Sequence, residues 1–306
     1  MIDGRDKMKI VIAGGSGFIG QKLTNLLLKK GHEIIILTRT AHLPSGQATY
    51  VNWLTEGASP EDEIRSADAF INLAGVSINQ GRWNRSHQEQ IYDSRMMATK
   101  ELIRIINRLE KRPSVLVNAS AIGVYPASQN TVYTEESREI ADDFLGRTVH
   151  DWEKQAEQVE AAGIRAVFMR FGVVLGREGG ALPLMVMPYK LFAGGTVGSG
   201  EQWVSWVHVM DVIRAIHFVL EKPLHGPVNV TAPAPVRMKE FGQTIGSVLH
   251  RPHWLPVPTL AMKWVLGKKS ALVLEGQHVI PEVLKGEGFE FSYPLLQPTL
   301  EDLLVK

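Results

Sequence analysis

The chain has 306 residues, 44% hydrophobic and 21% charged, with 33 basic against 32 acidic residues and no cysteine. That length suits two domains, or one large domain with a cap, at about 150 residues per domain. The composition excludes disulfides, thiolate metal sites and a cysteine nucleophile, and it offers no basic stripe for nucleic acid and no apolar run near the roughly 18 residues of a membrane span.

Met1–Lys7 is polar, without the apolar centre of a secretory signal, and reads as a loose extension of a cytoplasmic protein. A buried strand follows at Lys9–Ala13, then the glycine turn Gly14-Gly-Ser-Gly17-Phe-Ile-Gly20 and a helix over Ile19–Lys30 that Gly31 ends. Strand, glycine turn and helix N-terminus together can receive the pyrophosphate of a dinucleotide, because unpaired N–H groups and the positive dipole end face the anion. The β-branched run Glu33–Thr38 reads as the second strand and Ala67–Leu73 as another, ending in Asn72-Leu-Ala-Gly75. A long helix is expected around Ser86–Leu109, a strand at Ser114–Ser120, a helix at Val149–Ala162 and a strand at Arg165–Val174. This alternation predicts an α/β fold, a Rossmann-type doubly wound parallel sheet with ligands at the carboxyl ends of its strands. After Leu175 the sequence turns Gly- and Pro-rich to about Gly200. A helix near Val209–Leu220 and a strand at Pro227–Val230 return to the sheet. The expected division is a cofactor domain over 1–175 with 205–231, and a smaller C-terminal substrate lobe over 176–204 and 232–306. The second strand ends in Thr38-Arg39-Thr40 with no carboxylate for a ribose hydroxyl, so Arg39 favours the 2′-phosphate of NADP, unless it is simply a solvated loop arginine.

With these motifs the chain resembles the extended short-chain dehydrogenase/reductases and, more narrowly, the atypical NAD-dependent epimerase/dehydratase-like "epimerase family" proteins, which are similar to nucleoside-diphosphate-sugar epimerases. Arg82-Trp83-Asn84, Ser94-Arg95, Arg170–Gly176, Gly198–Trp203 and Ser205–Asp211 carry the resemblance. Leu274–Pro281 and Gly288–Pro294 extend it into that family's C-terminal domain. The resemblance implies NADP(H) contacts at Thr38, Arg39, Leu73, Ala74, Arg95 and Gln90, which join Gly14, Gly17, Phe18, Ile19, Gly20 and Gly75 as candidate cofactor-binding residues. No metal is expected. A small polar substrate, of which a nucleotide sugar is one candidate, and a homodimer are also what the resemblance implies.

The chain departs from the superfamily where the chemistry sits. Typical members use Ser or Thr with Tyr-x-x-x-Lys, the lysine lowering the tyrosine pKa. Here Gly146-Arg-Thr-Val149-His-Asp-Trp-Glu153-Lys154 places either Val149 and Glu153, or His150 and Lys154, at those positions. Neither register restores the dyad. Ser120, at a strand end, can polarise a substrate carbonyl or merely satisfy backbone groups. Tyr125 can reach substrate or pack. His150 is an acid–base group by type, set against a solvent-facing turn. His208 reads as a link between lobes or a catalytic group, Asp211 as a helix cap, and Arg82, Trp83 and Trp206 as substrate-side or packed residues. Two functions remain: an NADP(H)-dependent oxidoreductase or epimerase, and a catalytically silent NADP-binding sensor or scaffold.

Overall fold

Short β-branched runs separated by helical stretches bury both faces of each strand, which is the condition for a parallel sheet. The structure, a computed structural model, describes residues 7–40, 47–81 and 83–305; most of the expected N-terminal extension lies outside the described residues. The first half contains β1 (Lys9–Ala13), α1 (Phe18–Lys29), β2 (Glu33–Thr38), β3 (Thr49–Asn52), α2 (Pro60–Ile64), β4 (Ala69–Asn72), α3 (Arg85–Arg108), β5 (Val115–Ala121) and β6 (Val132–Tyr133). Then come α4 (Phe144–Glu157), β7 (Arg165–Phe171), β8 (Val173–Leu175), α5 (Leu182–Lys190), β9 (Trp203–Val204), β10 (Trp206–His208), α6 (Val209–Glu221) and β11 (Gly226–Val230). The chain closes with β12 (Val236–Arg237), α7 (Met238–Leu249), α8 (Thr259–Leu266), α9 (Ala271–Leu274), β13 (His278–Val279), α10 (Glu282–Gly286) and α11 (Leu296–Leu304).

Seven strands form one parallel sheet in the order β11-β7-β5-β4-β1-β2-β3. The order reverses between β1 and β4, which opens a crevice beyond their carboxyl ends. Leu23 and Leu27 of α1 and Val212 and Ile216 of α6 cover one face. Leu102 and Ile106 of α3 with Ala156 and Val159 cover the other. Full burial of such side chains is worth about 1.5–3 kcal/mol each.

Three local departures from the sequence reading have physical causes. Helix α4 starts at Phe144, ahead of the expected Val149, because Asp143 caps it by accepting the Gly146 N–H at 2.7 Å. The strand expected over Arg165–Val174 breaks at Gly172, where a Cβ would lie 2.2 Å from Ser205 O, and β8 pairs with β10 outside the main sheet. The cap of α6 is His208, whose Nδ1 accepts the Met210 N–H at 3.0 Å. Asp211, expected as that cap, is completely buried and accepts from the N–H groups of Ser292 and Tyr293 and from Arg214.

A further buried cluster, separate from the two that cover the sheet, gathers Leu175 and Trp206 with Tyr189, Phe241, Ile245 and Leu300 of the segments expected to form the smaller lobe. Trp206 is fully buried with its Nε1 donating to Ala234 O, so it packs and does not face a substrate. The expected 232–306 lobe is not all of one piece: Leu284 and Phe289 pack into the core beneath the sheet.

His208 stacks on Tyr293 at 3.7 Å, and burial lowers its pKa from the ordinary histidine value. Burial also lowers His32, His253 and His278. Below about pH 6.5 the unfolded chain therefore binds more protons than the folded one, so stability is complete above that pH and is lost as pH falls toward the folded-state values. The urea midpoint is expected to drop between about pH 7.5 and pH 5.5, and His208→Asn, which can still cap α6, should flatten that drop.

Candidate functional site

The crevice between β1 and β4 is shaped first by backbone approach. Gly14 has φ +79°, and a Cβ there would lie 2.6 Å from Leu73 O. Only glycine fits that backbone and that contact. Gly17 is the N-cap of α1, Phe18 and Ile19 open its first turn, and Gly20 is buried in it; no side chain caps the helix and no acidic residue occupies its first turn. Its N-terminal N–H groups and dipole are thus left to an outside anion. The Phe18 ring lies against the backbone of Gly176 and Gly179, which draws the loop after β8 over this helix end.

A buried polar chain fixes the neighbouring edge. Asn72 donates to Thr99 Oγ1 and Asn118 Oδ1, accepts from the Ala74 N–H, and Trp152 Nε1 donates to the same Thr99. Leu73, Ala74 and Gly75 are held in place this way beside the glycine turn. Arg95 lies against Gly75, over the Trp152 ring at 5.1 Å, and donates to the carbonyls of Val76 and Ile91. It forms no ion pair among the described residues, and burial pushes its guanidinium down to about 10. A cation without a counter-ion beside an anion-receptive helix end suits a phosphate-bearing ligand. Thr38 ends β2 with its hydroxyl turned onto Thr40, and Arg39 beyond it is exposed. Gln90 is exposed on α3.

The floor of the crevice is a second cluster. Ser120 is buried at the end of β5, and its Oγ donates to Glu153 Oε1 at 2.5 Å. Arg170, at the end of β7, donates from Nε and Nη2 to the two oxygens of Glu153 at 2.9 and 2.7 Å, and from Nη1 to Tyr125 OH at 2.8 Å. Burial works to lower the Arg170 pKa, but the Glu153 bonds and charge outweigh it and hold it above the ordinary arginine value. Along α4, Val149 and Glu153 are buried, while Lys154 is exposed and His150 is half-buried.

Two expectations change on this geometry. In this arrangement the Ser120 proton is donated to Glu153 and Ser120 offers its lone pairs; it can polarise a carbonyl only when Glu153 itself carries a proton. Tyr125 is completely buried, stacked on Tyr133 at 5.1 Å, and its hydroxyl is bound by Arg170, Asn229 and Thr134 O. It is packed behind the floor, and burial raises its pKa. Trp83 is also buried, with Nε1 donating to Ile78 O; its neighbour Arg82 lies outside the described residues. The sequence reading missed Arg170 and Asn229 as partners, although Arg170 ends a strand at the ligand-bearing edge, and that position was their available signal.

Residues 10–231 match the NAD dependent epimerase/dehydratase family, and residues 257–303 match a domain of unknown function, DUF1731. The "Epimerase family protein YfhF" of Bacillus subtilis (strain 168) is 48% identical over 299 residues, 97% of this chain and 98% of that protein. A crystal structure of "human epimerase family protein SDR39U1 (isoform2) with NADPH" superposes with a TM-score of 0.88 at 33% identity, covering 98% of this chain and 100% of the other. The nucleoside-diphosphate sugar epimerase from Corynebacterium glutamicum gives a TM-score of 0.78 at 28% identity, over 98% of this chain and 58% of that one.

Because Glu153 and Arg170 neutralise each other inside the protein, Arg170→Ala leaves a buried carboxylate and is expected to cost about 3–5 kcal/mol, read from urea unfolding. Tyr125→Phe removes one hydrogen-bonding group and should cost about 1 kcal/mol.

Proposed function

The chain belongs to the NAD dependent epimerase/dehydratase family, and on that premise we propose that it is an NADP(H)-dependent oxidoreductase or epimerase acting on a hydroxyl-bearing small polar molecule of the nucleotide-sugar class. The observation that carries this reading is the Ser120 hydroxyl oriented by a carboxylate, 2.5 Å away, on the floor of the crevice. The likeness to an NADPH-bound structure and to a nucleoside-diphosphate sugar epimerase supports the choice of cofactor and substrate class.

The residues fit the cofactor. The uncapped N-terminus of α1, from Gly17 through Phe18, Ile19 and Gly20, receives a pyrophosphate, and Gly14 keeps the approach clear. Thr38 and Arg39 take the 2′-phosphate, while Leu73, Ala74, Gly75 and Arg95 line the opposite wall, with Gln90 at its outer end. Bound NADP(H) supplies hydride transfer at the nicotinamide ring. Ser120 Oγ accepts the proton of a substrate hydroxyl as its own proton passes to Glu153 Oε1; in the reductive direction both protons move back. Arg170 holds both Glu153 oxygens in place, and Tyr125 positions Arg170 without meeting substrate. On the same reading the sheet, 1–175 with 205–231, binds the cofactor, and 176–204 with 232–306 carries the substrate side except where Leu284 and Phe289 join the sheet core. On the same reading the protein works in the cytoplasm as a homodimer. A silent NADP(H)-binding sensor or scaffold is the second reading; Val149 favours it, since valine has no proton to exchange where the superfamily places tyrosine.

Wild-type protein is expected to bind NADPH more tightly than NADH by titration fluorimetry, and Arg39→Glu to shrink that ratio at least about tenfold, or ~1.4 kcal/mol. Equal binding of the two cofactors by the wild type rejects NADP. In assays of NADPH oxidation and epimerisation across a panel of nucleoside-diphosphate sugars, Ser120→Ala and Glu153→Gln should each lower kcat by about 10²–10⁴ while NADPH affinity is unchanged. Tight NADPH binding with no turnover across the panel decides for the silent reading.

A further inference from the structure

Among the described residues, the large apolar side chains left in solvent concentrate in two linked segments of the smaller lobe. Helix α8 buries none of its residues: Leu260 is 81% exposed and Trp264, one turn later on the same face, 89%. Val265 and the preceding Trp254 and Leu255 are exposed as well. Trp254 Nε1 donates to Phe192 O, the N–H groups of Trp254 and Leu255 both reach Gly194 O, and the Arg251 guanidinium lies 4.4 Å from the exposed Phe192 ring. The segment after α5 and the segment leading into α8 are therefore one surface region.

Its charge is one-sided. From Leu182 to Phe192 and from His250 to Leu274 there is no aspartate or glutamate, whereas Lys190, Arg251, Lys263, Lys268 and Lys269 all fall within these stretches. Lys190, Arg251, Lys263 and Lys268 are exposed, and Lys269 donates to Asn79 O. Near-neutral overall charge makes this local excess a feature of the region and not of the chain. Two copies meeting through this face would bring like charges together, which disfavours self-association. Exposed tryptophans and leucines interleaved with lysines match the layered chemistry of a bilayer interface, where indole rings sit at headgroup depth and ammonium groups meet lipid phosphates.

We propose that the α8 face, Trp254–Lys268 with Leu191 and Phe192, docks the protein on an anionic lipid surface. The helix is eight residues long and lies on the bilayer; no helix among the described residues is long and apolar enough to cross one. The sequence expectation of no membrane partner rested on the length of apolar runs, which cannot reveal a surface-lying segment. Docking is independent of the Ser120–Glu153 floor and of any turnover.

The test is sedimentation of the full chain with vesicles of phosphatidylcholine alone and of phosphatidylcholine containing about a quarter phosphatidylglycerol, a fraction sufficient to give a negative surface potential. Binding to the anionic vesicles is expected, with a blue shift of tryptophan emission, and with at least about tenfold weaker partitioning to neutral vesicles or at high salt. The double variant Leu260→Glu/Trp264→Glu should lose binding. Lys263→Glu/Lys268→Glu, which changes only exposed side chains, should lose the preference for the anionic lipid. Circular dichroism and NADPH titration check that both variants remain folded. Equal binding to both vesicle types overturns the proposal. So does an absence of vesicle binding, whether the wild type is monomeric by light scattering or forms a dimer that Leu260→Glu/Trp264→Glu dissociates.

Discussion

The floor of the crevice depends on Arg170. One guanidinium joins the end of β7 to helix α4 through Glu153 and to the loop after β5 through Tyr125. Its planar fork makes this possible, since two donors match a carboxylate while a third remains for a phenol. A lysine at the same position would offer three donors from a single point, without the planar fork that matches both Glu153 oxygens. Tyr125 carries the connection onward to Asn229 on the edge strand, whose Nδ2 donates to Ile280 O and so reaches the C-terminal segment. One side chain thereby sets the relative position of the sheet, α4 and the returning C-terminal chain.

Much of this was legible in the sequence, because it rests on local pattern. The strand and helix runs specify the parallel sheet, and Gly14 announces the close approach that the structure finds against Leu73 O. Other features were hidden because they depend on long-range packing. The Ser120–Glu153 pair joins residues 33 positions apart, and the Tyr125–Asn229 bond spans 104. Asp211 had the sequence position of a helix cap, yet its oxygens hold Ser292 and Tyr293, more than 80 residues away. Trp206 sat in a motif that pointed to the substrate side and proved to be core. Spacing along the chain reports what shares a helix face; it does not report which element packs against that face.

The exposed α8 surface shows the same limit from the opposite direction. An eight-residue apolar stretch reads in sequence as ordinary core, and only its solvent exposure distinguishes it. Elsewhere the smaller lobe follows the usual rule: α7 turns Phe241 and Ile245 into its core and leaves Lys239 and Glu240 outside. The contrast between two helices of one lobe argues that α8 is kept apolar for something outside the lobe, since burying Leu260 and Trp264 within it would otherwise be favourable.

On the proposed alignment, in which Val149 and Glu153 take the tyrosine and lysine positions, the two changes are physically coupled. In a dyad, the lysine is a cation that lowers the pKa of a nearby phenol. A glutamate in its place reverses the charge, and at this depth an unpaired carboxylate would be strongly disfavoured. Arg170 supplies the compensating charge, but its two donors toward Glu153 and one toward Tyr125 leave it little capacity to activate a phenol at position 149. Tyrosine there would gain nothing, and valine packs against Ile122, Tyr125 and Val279 instead. On the proposed reading the acid–base role of the floor falls to Ser120, the hydroxyl that donates to the Glu153 carboxylate.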